Sequence, residues 1–282
     1  MVSCSRSQTQ FAVLPPSQAQ IPASFRNVHA NRRLHENLLG RMQRMRGKAY
    51  LTDGAIQATD LSADGRHRSN VDEHSWHVLS LNHEGDVVAC LRYVEEAQSS
   101  SFDALWVRHA ALARCPVLGK RFRTAVETMM NRAKQTRIGF GEVGGWAVSE
   151  DHRWTTEPLR IILATYGLLQ LLGSSTGVAT ATFRHGSASI LRRIGLASMI
   201  ADGEELPPYF DPQYGCQMEV LEFDSRFPNP KYREKVIELS AALAYAPVIC
   251  PEKTVTTMRG AFRHREALPV PAGIAASLAA IA

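Results

Sequence analysis

Apolar residues are densest at positions 157–172 (EPLRIILATYGLLQLL). A run that is apolar nearly all round predicts a buried helix, and Gly173 stops it. The segment before it, 138–148 (IGFGEVGGWAV), reads as a strand with a glycine pair in its middle. Glycines inside a strand weaken it and mark a bulge or a close backbone approach. The polar stretch 149–156 (SEDHRWTT) joins the two as a loop. A second strand is expected at 177–183 (GVATATF), then a short helix at 187–194 that Gly195 ends. Two strands joined by a helix of this length form a βαβ unit.

The rest of the chain is read around that unit. Residues 75–81 and 87–93 are strands, and the turn residues 82–86 make them a hairpin. Leu34, Leu38, Met42 and Met45 recur at helical spacing within 28–48, predicting an amphipathic helix with arginines on its other face. Such a helix packs on the body or lies on a membrane; its narrow, Met-rich stripe favours packing. Residues 52–73 are loop-like and 94–116 irregular. Residues 119–136 form a helix with Phe122, Val126, Met129 and Met130 on one face. A proline-aromatic loop (204–215), a strand (216–223) and a helix over 231–245 opened by Asn229-Pro230 follow. The Ser-, Gln- and Pro-rich residues 1–24 are expected to be poorly ordered, and 246–282 receive no assignment. The expected organisation is a basic N-terminal arm and helix (1–48), a central domain (49–225) and a C-terminal helix and tail (226–282).

Charge adds a partner question. The 282 residues carry a net +5, but residues 1–48 alone hold eight Lys/Arg and one Glu, a net of +7 that leaves the remainder at −2. A basic arm on a near-neutral body points to an acidic partner, or is a solvated tail. Five cysteines without a close pair fit free thiols in a reducing cytoplasm. No signal-peptide core and no uncharged span of bilayer length is present, so a cytoplasmic chain is expected. No nucleic-acid motif appears. His74 and His77 fall on opposite faces of a strand, so no shared metal is expected. His185 and Ser187 lack a third group for nucleophilic catalysis, and Ser187 reads as a helix N-cap.

The candidate chemistry lies in the central strand. Glu142 stands among Ile138, Phe140, Trp146 and Val148. A carboxylate in apolar company is desolvated and its pKa rises toward that of a general base; the alternative is a structural carboxylate paired to an arginine. Gly144 and Gly145 would let the strand splay from its neighbour and expose N–H groups to a pantetheine amide or an oxyanion. Thr155 and Thr156 either cap the 157–172 helix or present N–H groups to a phosphate. Arg92 is a surface arginine at a strand end or a substrate contact.

These residues resemble a family. VVACLRY (87–93), GEVGGWAVSEDHR (141–153), VATATFRHGSASILRRIG (178–195) and YFDPQYGCQMEVLEFDS (209–225) are similar to the GNAT acyltransferases. The closer likeness is to the acyl-carrier-protein-dependent N-acyl amino acid synthases and, more distantly, the acyl-homoserine-lactone synthases. The resemblance spans roughly residues 60–245. It implies an α/β (α+β) GNAT-type acyl-CoA N-acyltransferase fold, a central mixed twisted sheet flanked by helices. It also implies transfer of a long-chain fatty acyl group from acyl carrier protein to the α-amine of an amino acid. Glu142 would then be catalytic. Arg92, Trp146, Thr180, Thr182 and Arg184 would bind substrate, with Thr180 and Thr182 beside the acyl path. Gly144, Gly145, Val148, Arg153, Thr155 and Thr156 would hold the acyl-phosphopantetheine arm, and Arg41, Arg44 and Arg46 would meet the carrier. No bound cofactor or metal is implied. The sequence departs twice: Gly145 stands where lactone synthases carry an arginine, and the 149–156 loop lacks the glycines that wrap a pyrophosphate. Acyl-CoA-dependent N-acetyltransfer, lactone-type signal synthesis and non-catalytic carrier binding are the alternative functions.

Overall fold

The computed structural model describes residues 9–252. Twelve strands and five α-helices are described. The strands are β1 (Gln10–Leu14), β2 (Val28–Ala30), β3 (Ser75–Leu81), β4 (Val87–Glu95), β5 (Gly139–Val148), β6 (Ser175–Thr182), β7 (Ala197–Ser198), β8 (Ile200–Ala201), β9 (Glu204–Glu205), β10 (Tyr209–Asp211), β11 (Cys216–Asp224) and β12 (Val248–Cys250). The helices are α1 (Arg32–Thr52), α2 (Gly119–Thr136), α3 (Glu157–Leu171), α4 (Ser187–Ile194) and α5 (Arg233–Tyr245). Ten strands form one mixed sheet in the order β10-β11-β6-β5-β4-β3-β1-β12-β2, with β7 also on β11. The β5–β6 pair is parallel, as a βαβ crossover requires.

Both faces of the sheet are covered, so its central strands are apolar on both sides. On one face α3, α4 and α5 pack on Val78, Leu91, Ala179 and Leu221. On the other, α1 covers Leu79, Cys90 and Ala147, while α2 covers Phe140, Val178 and Val220. The floor between α1 and α2 is formed by β4 and β5, and the candidate site lies there.

The sequence expectations need four corrections. Residues 1–8 of the expected arm lie outside the described residues; from residue 9 on it is not a free tail, since β1 is hydrogen-bonded between β3 and β12, with Phe11 and Leu14 buried. Thr9 Oγ1 donates to Glu157 Oε2 at 2.8 Å, and the Arg160 guanidinium lies 3.8 Å over the Phe11 ring, tying β1 to the start of α3. Second, residues 248–250 form a strand that runs parallel to both β1 and β2. Third, α1 begins at Arg32, where Asn31 caps Leu34 N–H at 3.0 Å. Fourth, the cap of α4 is Gly186 in the left-handed region, and Ser187 already has helical angles. Residues 253–282 of the expected tail lie outside the described residues. Among the described residues no helix is long and apolar enough to cross a membrane.

Candidate active site

The glycine pair opens the sheet. β5 pairs with β6 from Gly139–Ser175 to Val143–Ala179 and no further. Beyond that point β5 stays with β4 as far as Val148, while β6 stays with β11 as far as Thr182. A slot therefore opens between the two parallel strands at Gly144. The β4–β5 register jumps from Arg92–Gly144 to Cys90–Ala147, so Gly145 and Trp146 together oppose Leu91. This is a β-bulge with a glycine in the left-handed region, φ 63°. It resets the alternation of the strand: Trp146 packs on the α3 side, and Ala147 rejoins the α1 side.

Gly144 and Gly145 therefore tolerate substitution differently. A Cβ on Gly144 meets only Arg92 Nε, at 4.0 Å, whereas one on Gly145 meets Arg92 Cγ at 3.1 Å in a backbone region that Val avoids. Gly144→Val should keep the native melting temperature and, if the slot holds the acyl arm that the resemblance implies, lose acyl-donor binding. Gly145→Val should lower stability by about 1–2 kcal/mol from the backbone alone. Thermal melts with donor titrations check both; full donor affinity in the Gly144 variant would place the slot elsewhere.

Glu142 lies on the face shared by α1 and α2, 9% exposed. Its Oε1 accepts the N–H of Trp106 at 2.5 Å and its Oε2 that of Val107 at 2.7 Å. Burial pushes its pKa up to about 7, although the two N–H groups and Arg92 pull the other way. The carboxylate is thus held in one orientation by the 106–107 turn and titrates near neutrality. Trp106 keeps about half of its surface exposed beside it.

A second cluster sits on β4 and α1. Asp72 is buried and takes Arg46 in a two-point pair, Nη1–Oδ1 2.9 Å and Nη2–Oδ2 2.6 Å. Gln43 Nε2 (3.0 Å) and Ser69 N–H (3.1 Å) also donate to Oδ2. Arg46 Nη2 further donates to the His67 carbonyl at 2.6 Å, and the His67 ring stands edge-on to Tyr50. Arg92 Nη1 reaches Asp72 Oδ1 at 3.3 Å. Burial alone would raise the Asp72 pKa, but the Arg46 pair outweighs it and holds this carboxyl well below the usual carboxylate range. One carboxylate therefore serves two guanidiniums, and the cluster carries a net +1 on side chains that are almost wholly buried. Sequence reasoning missed Asp72, Gln43, His67 and Tyr50, as well as the Trp106–Val107 turn.

The remaining candidates separate. Thr180 is exposed, and Thr182 Oγ1 donates to the Arg184 carbonyl at 2.9 Å. Arg184 donates to the carbonyls of Asp53 and Gly215, both at 3.1 Å, and Arg153 pairs with Asp53 Oδ1 at 2.5 Å and reaches the Ala49 carbonyl at 3.3 Å. Both arginines thus secure the C-terminal end of α1, where cations suit the last carbonyls. Thr155 Oγ1 accepts Glu157 N–H at 3.0 Å, the capping role; Thr156 is exposed and makes no side-chain cap. Val148 is buried in the α3 core, and Trp146 packs beside it with its Nε1 unpartnered among the described residues. Of the three arginines expected to face a carrier, Arg41 pairs with Asp86 and Arg44 Nε donates to the Asp64 carbonyl at 3.3 Å. Arg46 is 1% exposed, so its surface role is corrected: it is a buried structural cation.

No protein-family model and no curated protein matches this chain. Solved structures do. The CoA-dependent acyl-homoserine lactone synthase BjaI, with SAM and isopentyl-CoA, aligns at 16% identity over 86% of this chain and 92% of its own, with a TM-score of 0.53. TofI, in a ternary complex with an inhibitor and MTA, aligns at 14% identity over 83% of this chain and 99% of its own, with a TM-score of 0.50. The chain has the mixed-sheet fold of these proteins.

Proposed function

We propose that this chain is an N-acyltransferase that moves a long-chain acyl group from a phosphopantetheine thioester on acyl carrier protein to the α-amine of an amino acid. The observation that carries this reading is the pairing, on one floor beside an opened β5–β6 slot, of a buried carboxylate titrating near 7 with an Arg46–Asp72–Arg92 cluster of net +1. The acceptor's carboxylate would sit on Arg92, which places its amine toward Glu142. As the amine nitrogen bonds to the thioester carbonyl carbon, Glu142 takes the amine proton. Collapse of the tetrahedral intermediate breaks the C–S bond, and the leaving thiolate takes that proton back. Backbone N–H groups of the slot would receive the oxyanion.

The carrier-borne donor rests on what surrounds the entrance. The 149–156 loop has no glycine, and Arg153 is turned to α1, so little is left to cradle a pyrophosphate. Arg41 and Arg44 remain on the outer side of α1 for an acidic carrier. BjaI is a CoA-dependent enzyme, which makes acyl-CoA the competing donor. Mass spectrometry of reactions pairing acyl-carrier protein or acyl-CoA with a panel of amino acids tests the reading. N-acyl products from the carrier donor support it. Product from acyl-CoA alone transfers the donor role to coenzyme A, and no product with either donor overturns it. Within this reading Arg92→Gln should raise the acceptor KM about ten- to a hundredfold, the worth of a hydrogen bond to a charged group. Initial-rate kinetics against both substrates check it; a change confined to the donor KM would remove Arg92 from the acceptor.

A further inference from the structure

We propose that Cys90 is a positioning residue whose thiol, donating to the Gly145 carbonyl, sets the bulge that opens the β5–β6 slot. The Sγ–O distance is 3.4 Å and the thiol is fully buried. Cys90 and Arg92 flank Leu91, the residue opposite the bulge, and each holds one part of it. The Arg92 stem lies against the Gly145 α-carbon, 3.1 Å from where a Cβ would stand, and the Cys90 thiol takes the Gly145 oxygen. A bulge removes a carbonyl from the ladder, and a buried carbonyl needs a donor. Burial pushes the Cys90 thiol up to about 11, so it remains an S–H donor at neutral pH. A cysteine also suits its surroundings, since the side chain sits among Met42, Leu79 and Ala147 under α1.

The residue joins two properties that substitution separates. Serine keeps a donor but is a poor filler of this apolar layer; alanine suits the layer but has no donor. Both variants should lose thermal stability, while only Cys90→Ala should disturb the bulge. Gly145-Trp146 is the only Gly-Trp step in the chain. Labelling glycine carbonyl carbon with ¹³C and tryptophan nitrogen with ¹⁵N therefore isolates the Gly145 carbonyl as a single resonance. Expected is a shift of that resonance in Cys90→Ala and its native position in Cys90→Ser. The inference rests on the proposed function only for its kinetic arm: Cys90→Ala should raise the KM for acyl-pantetheine about fivefold, the worth of one net hydrogen bond, with the acceptor KM unchanged, and Cys90→Ser should restore it. A Gly145 resonance unmoved in Cys90→Ala overturns the proposal, as does a KM that follows melting temperature equally in both variants. If the wild type transfers no acyl group at all, the functional reading fails while the carbonyl measurement still decides the role of Cys90.

Discussion

Glu142→Gln should slow the chemical step by about 10²-fold or more, the scale at which a general base contributes. The substitution keeps the side-chain length and removes the proton acceptor. It also leaves one of the two N–H groups of Trp106 and Val107 without an acceptor, because an amide has a single oxygen. The expected loss is therefore in the single-turnover rate at saturating donor, with donor affinity preserved. The pH dependence is the sharper readout. A carboxyl held at about 7 is half protonated at neutral pH, so the wild-type rate should rise with pH and level off above that point. The Gln variant should be flat across the same range. Stability should move in the opposite sense. The folded pKa lies above the ordinary 4.5, so the folded state binds the extra proton, and wild-type stability falls as the pH rises from about 4.5 to 7. The variant should lack that slope in urea titrations. An unchanged single-turnover rate at neutral pH would reduce Glu142 to an anchor for the 106–107 turn.

The parts of this site that were legible in sequence are those that local chemistry dictates. Gly144-Gly145 in an apolar strand signals a bulge whatever lies around it, and the apolar run at 157–172 buries itself wherever the sheet is. The acidic partner of the site was not legible for two reasons. Asp72 lies 26 residues from Arg46 in a polar stretch without periodicity, and only the folded chain brings them together. Arg46 itself was misplaced by its charge. Leu38, Met42, Arg46 and Ala49 recur at four, four and three residues, one face of a helix, and all four are buried. Spacing put Arg46 on the packed face, and residue type argued it outward. An arginine on an apolar stripe is a signal for a buried carboxylate elsewhere, since such a cation is retained only when paired. β1 failed for a different reason: five residues flanked by Gln, Ser and Pro are too short to show a period, and their partners in β3 and β12 lie 63–71 and 235 residues away.

Arg46→Met should lower the stability of the folded chain by about 3–5 kcal/mol, the usual cost of removing one member of a buried ion pair. A carrier contact on the surface would have cost about 0–1 kcal/mol, so the experiment separates the two roles for this residue. The size of the loss comes from what is left behind. Asp72 stays 2% exposed, with Gln43, Ser69 and a more distant Arg92 for partners. Replacing both members with apolar side chains, Arg46→Met with Asp72→Leu, should recover much of the loss, because no buried charge is then unpaired. Acid should narrow the gap between wild type and the single variant. The pair keeps the Asp72 carboxyl below its ordinary pKa of 3.8, so its contribution is present above that pH and is lost as the pH falls through the folded value. Without Arg46, burial raises that pKa and the contribution is already gone. The site should register the change as well. With Arg46 absent, Arg92 becomes the sole cation on Asp72 and the cluster falls from +1 to neutral, so under the proposed function affinity for an acceptor carboxylate should drop although no group proposed to contact the acceptor has been altered. Urea titrations between pH 3 and 8, with acceptor binding followed on the folded variant, read both effects. Full acceptor affinity in Arg46→Met would show that the net charge of the cluster is not what Arg92 offers the acceptor.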